Sequence, residues 1–93
     1  MFVGIVRVEL HLPAAASLKD KRAVVRSLKD RIHGRTSAAV AEVDHQDLWQ
    51  RAALGLAVVS GDHARVTELI QEARGIIESR PDVVVLDWQE QRV

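Results

Sequence analysis

Two groups of residues in this 93-residue chain carry side chains that could do chemistry. The densest is Glu42-x-Asp44-His45-x-Asp47, followed at once by Trp49 and Arg51. Carboxylate oxygens beside a neutral imidazole are the donors that Zn, Mn or Mg accept. The same residues suit a polar hairpin loop whose side chains cap its own backbone. The pattern puts Glu42 and Asp44 on one strand face and Asp47 beyond a turn, so no metal site is assigned and no cofactor is expected. Trp49 offers a face on which a base, a ligand or a protein could rest, or else it covers the end of the core, the commoner role of a tryptophan beside a hairpin.

The second group is basic. Lys19, Arg22, Arg26, Lys29 and His33 recur at helical spacing and form one stripe. Between Lys19 and Arg35 there are seven basic residues against two acidic ones, whereas from Asp62 onward there are four basic and seven acidic. The total formal charge is zero, so this asymmetry says more about partners than the sum does. A basic stripe can track phosphates. A solvated helix face is also often basic without binding anything, and no glycine-rich loop stands ready to cradle a phosphate.

Other chemistries are removed by what is missing. There is no cysteine, which removes disulfides, thiolate metal sites and a cysteine nucleophile. No serine or threonine has a recognisable base and orienting partner nearby in sequence. There is no asparagine to serve an acylphosphatase-like site. No catalytic residue is assigned.

The elements that must position these groups read clearly. From Phe2 to Leu12, Val6, Val8, Leu10 and Leu12 alternate with Arg7, Glu9 and His11, a half-buried strand stopped by Pro13. Ser17 with Asp20 three residues on has the form of a capping box. The helix behind it buries Val24, Val25, Leu28 and Ile32 and is expected to end near Ile32 or His33, with Gly34 in a left-handed turn. Ala38 to Asp44 is a second strand and Arg51 to Ser60 a third, joined as an antiparallel hairpin. Asp62 or Ser60 caps a second helix whose stripe is Val66, Leu69, Ile70, Ala73, Ile76 and Ile77; Pro81 ends it, and Val83 to Trp88 is the last strand.

The order β-α-β-β-α-β over residues 1–93 defines a single ferredoxin-like α+β domain. Its four-stranded antiparallel sheet carries two helices on one face, with the first and third strands central. The other face is open. A standard RNA-recognition motif would place aromatics there; this sequence places Arg7, Glu9, His11, Ala53, Gly55 and Ala57. Ile5, Val40, Ala53, Gly55, Ala57 and Val59, interspersed with Arg7, Glu9, Glu42 and Arg51, predict a homodimer through the open face or a sheet edge. The first segment carries Arg7 and Glu9 and reads as a strand rather than a signal peptide. No apolar run approaches the ~20 residues of a membrane span. A cytoplasmic protein is expected.

V-G-I-V-R-V-E-L-H-L-P from Val3, S-L-K-D-K-R from Ser17 and A-E-V-D-H-Q-D-L-W-Q-R-A-A-L-G-L-A-V-V-S-G-D from Ala41 resemble the YlxP-like family of small uncharacterised bacterial proteins. The second helix and last strand match by pattern only, and Arg35-Thr36-Ser37-Ala38 departs from relatives that enter the strand with an aromatic residue. The resemblance implies a ferredoxin-like domain with no known enzyme activity. Genes of the family often lie among translation and ribosome-maturation genes, which points toward RNA or ribosomes. The expectation is therefore a non-catalytic binding module that contacts RNA or ribosomal particles through its basic first helix. The alternative is a small metal- or metabolite-binding regulator that uses the acidic hairpin loop.

Overall fold

The computed structural model describes residues 1–93. The six elements are β1 (Phe2–His11), α1 (Leu18–Thr36), β2 (Ala39–Asp44), β3 (Arg51–Ser60), α2 (His63–Glu78) and β4 (Val84–Arg92). They form an antiparallel sheet of order β2-β3-β1-β4, with β1 and β3 central. Val6, Val8, Leu10, Ala52, Leu54, Leu56 and Val58 face the helices and meet Val25, Leu28 and Ile32 of α1 and the six predicted stripe residues of α2. Gly4 lies under α2 at the closest approach of helix and sheet: a Cβ there would stand 2.5 Å from Ile70 Cδ1 and 2.8 Å from Val66 Cγ1. No helix is long and apolar enough to cross a membrane.

Ser17 caps α1 as expected, accepting from Asp20 N at 3.0 Å while Asp20 accepts from Ala16 N at 2.9 Å. The helix end differs from the expectation. Gly34 stays helical and Ser37, with φ 57°, makes the left-handed turn. The cause is Thr36, a buried residue whose hydroxyl donates to Ile32 O and accepts from Ala38 N, holding one more turn of helix against the core. β4 also runs beyond Trp88 to Arg92, because β1 offers partners along its whole length.

The faces of β2 are reversed from the sequence reading. Val40 packs on the core and Glu42 faces the helices, while Ala39, Ala41 and Val43 line the open side. A bulge between Glu42 and Asp44 then puts Asp44 on the open side, opposite Ala53, so the two carboxylates do not share a face. A short edge strand with small apolar residues on both sides carries little information about which side is buried.

Candidate functional site

Lys21 is the residue that organises the hairpin. It sits four positions before Val25 and therefore on the core stripe of α1, and its side chain is 0% exposed. Its ammonium lies 2.9 Å from Glu42 Oε2 and donates to the carbonyls of His45 at 2.7 Å, Gln46 at 3.1 Å and, more weakly, Arg51 at 3.4 Å. All four neighbours are acceptors, the surroundings a buried cation requires. This explains Glu42: the carboxylate faces the helices because a buried ammonium is there. Gln50 completes the anchoring, donating through Nε2 to Pro13 O and Ala15 O, while Leu12 N donates to Gln50 O.

On the opposite side of the sheet the same hairpin is held by Glu9. Its carboxylate accepts from Arg7 at 2.8 Å, from Arg51 at 2.9 Å and from His45 Nε2 at 2.9 Å. Because an ionised carboxylate only accepts, His45 presents Nε2 as the donor. Arg7 also reaches Asp44 at 3.2 Å, and Asp44 accepts from the His45 backbone N–H at 2.8 Å. Those contacts hold His45 in a left-handed conformation, φ 63°. Ala53, on the open face with Glu9 and Asp44 as its cross-strand neighbours, is fully buried there.

Burial is the largest influence on Glu9 and pushes its carboxyl up, but the hydrogen bonds from Arg51, Arg7 and His45 together outweigh it and hold the group below the ordinary glutamate value. The His45 backbone N–H, followed by Arg7, holds the Asp44 carboxyl low. The hydrogen bond to Glu9, followed by that to Asp44, raises Arg7.

The structure thus gathers Asp44, His45 and Arg51 into one network and sends Glu42 to the other side of the sheet. No three His, Asp or Glu side chains converge to hold a metal ion. Asp47 and Trp49 lie outside both networks, in a shallow groove of about 380 Å³ bounded by Asp47 to Arg51. Trp49 does not cover the core: it is 54% exposed, with Leu48 beside it at 48%. Lys19, Arg22 and Arg26 are exposed on the outer side of α1 with Lys29 half-buried beside them. His33 leaves the stripe in function, its Nδ1 lying 2.9 Å from Ala38 O at the helix end.

The sequence reading missed Lys21, Glu9 and Arg7 as parts of the site. Lys21 was detectable, since a lysine in register with Val25, Leu28 and Ile32 must either break the apolar stripe or carry its charge to a partner. Glu9 and Arg7 had only the hint of opposite charges on a central strand near Arg51.

An α+β sandwich of this topology, with an open sheet face and a tied hairpin, is a ferredoxin-like domain. A de novo designed protein with a ferredoxin fold, solved by solution NMR, is similar at a TM-score of 0.55 and 14% identity, over 100% of this chain and 84% of that one. Residues 3–90 match the family described as a protein of unknown function, DUF503, and the chain belongs to that family. It is similar to the uncharacterised protein YlxP of Bacillus subtilis (strain 168), at 31% identity over 81 residues that cover 87% of this chain and 88% of that protein.

Proposed function

We propose that the protein is a non-catalytic binding module that contacts RNA or ribosomal particles through the outer face of α1. The observation that carries this reading is how the cations divide. Every arginine outside α1 is paired: Arg7 and Arg51 with Glu9, Arg65 with Glu68, Arg74 with Glu78, Arg80 with Asp82 and Arg92 with Glu90. Within α1 only Lys21 has an acidic partner. Lys19, Arg22, Arg26, Lys29, Arg31 and Arg35 have none, although Asp30 is on the same helix. Like charges at helical spacing repel by a few tenths of a kcal/mol per neighbour. A helix face that concentrates unpaired cations while every arginine elsewhere has an acidic partner fits a polyanion, and phosphate backbones are read in this sequence-tolerant way. In the hairpin, Glu9, His45, Lys21 and Glu42 bond to one another and to the loop backbone.

Tagged protein recovered from lysate should carry RNA or ribosomal particles and lose them after ribonuclease treatment. Recovery of the same partners with and without ribonuclease, and no RNA, would contradict the proposal.

The open face supports a second element of the same reading, self-association. Ile5, Ala39, Ala41, Val43, Gly55 and Ala57 line an apolar groove of about 320 Å³ free of charged residues, while the charges of that face are paired with one another at its other end. Two copies laid face to face would seat Val43 and Ile5 of each over the small residues of the other. Light scattering at about 100 micromolar, the weak end of specific affinities, should show a dimer that Ala57→Arg dissociates. Only the 10.3 kDa species at that concentration would contradict it.

A further inference from the structure

Trp49 stands apart from the other tryptophan. Trp88 packs on the core, lies under Arg74 with the guanidinium 4.8 Å from its ring, and donates its indole N–H to Glu90. Trp49 does none of this: its ring is exposed, and its N–H has no partner in the molecule. The backbone on either side of it is fixed, by Lys21 on the carbonyls of His45, Gln46 and Arg51 and by Gln50 on those of Pro13 and Ala15. The fold therefore anchors the backbone that carries an aromatic ring outside the core.

Its surroundings say what would use it. Lys21 joins the loop to the first turns of α1, where the unpaired cations Lys19 and Arg22 begin. Asp47, a carboxylate without an ion-pair partner, lines the same groove as the ring. An aromatic face beside cations is the pairing by which proteins hold single-stranded nucleic acid, stacking on the base and tracking its backbone. A carboxylate accepts from an exocyclic amino group, as it does from the amino group of cytosine. An apolar protein anchor would not explain why the only unpaired charge in the groove is a carboxylate while the helix tied to the loop carries unpaired cations.

We infer that Trp49 is a stacking platform for an unpaired RNA base, that Asp47 favours bases carrying an amino group over uracil, and that Lys21 positions the loop without touching the ligand. This rests on the RNA reading of α1 and adds the substrate class: a single-stranded segment next to the backbone that α1 contacts.

The test uses the full chain with oligocytidylate, oligouridylate and an RNA duplex of equal length. Trp49→Ala should weaken binding of the single strands about tenfold or more, Trp49→Phe should retain most of it, and duplex binding should change little. Cytidylate should bind about tenfold better than uridylate, and Asp47→Ala should remove that preference. Trp49 is exposed, so unchanged thermal melts are expected for all these variants.

Wild-type protein that binds neither single strands nor duplex removes the RNA reading and this inference with it. Wild-type binding that Arg22→Glu with Arg26→Glu abolishes but Trp49→Ala leaves unchanged removes this inference alone. A Trp49→Ala defect confined to a protein partner, with RNA affinity intact, also overturns it.

Discussion

Lys21 and Arg22 are adjacent cations on one helix, and the molecule treats them in opposite ways. Lys21 points inward, is surrounded by a carboxylate and three carbonyls, and fixes the hairpin. Arg22 points outward with Lys19, Arg26 and Lys29, and none of the four has an acidic partner. Local sequence does not separate them; helical phase does. Where a cation falls on the apolar stripe, the fold must supply acceptors and gains a fixed loop. Where cations fall on the outer face and the fold supplies nothing, their charge is available to something else. The difference separates a structural network from a face of unpaired charge without reference to residue type.

The largest effect is expected at Lys21. Lys21→Met keeps the length of the stem but leaves the Glu42 carboxylate without its ion-pair partner and three carbonyls without their donor. Removing one partner of a buried pair costs about 3–5 kcal/mol, and chemical denaturation should show a loss of that size with the hairpin amides exchanging fastest. A loss below about 1 kcal/mol, the range of exposed pairs, would mean that the buried ammonium does not organise the loop.

Glu9 sharpens the same contrast from the other side of the sheet. Glu9→Gln should cost about 1–3 kcal/mol near neutral pH, since Arg7, Arg51 and His45 lose a charged acceptor. Burial alone would raise the Glu9 carboxyl, but the three donors leave it lower in the folded state than in the unfolded chain. Its stabilisation is therefore complete above the ordinary glutamate range and is lost as pH falls through the depressed folded value. The gap between wild type and Glu9→Gln should close in acid; a gap that persists there would deny the network its electrostatic origin.

The smallest effect on stability belongs to the outer face. Arg22→Glu with Arg26→Glu should move the unfolding free energy by no more than about 0.5 kcal/mol, as surface substitutions without partners do. A large loss would show that those side chains are structural after all.

Much of the fold was legible because β1, β3 and α2 carry strong periodicity: alternation in the strands, and in α2 a stripe whose six predicted residues are its six buried ones. What was not legible lies where two periods meet or where a side chain acts at a distance. The bulge at Val43 changes the parity of β2 and separates Glu42 from Asp44, and no residue type announces it. The helix end depended on a threonine hydroxyl bridging two backbone groups, which outranked a glycine two residues after the last expected core residue, Ile32. For the candidate site, the basic stripe and the hairpin residues were visible in sequence, but their roles were not. Glu9 and Arg51 meet only through the register of β1 on β3, and Lys21 meets the hairpin only through the packing of α1.

The proposed RNA-binding surface is the outer face of α1. The most direct measurement is the affinity of wild type and of the Arg22→Glu, Arg26→Glu variant for one structured RNA across a series of salt concentrations. Wild type should bind with an affinity that falls steeply as salt rises, and the variant, folded as before, should lose binding or show a shallower slope by about two phosphate contacts. Wild-type protein that fails to bind at low salt, or a variant that matches it in affinity and slope, would contradict the claim.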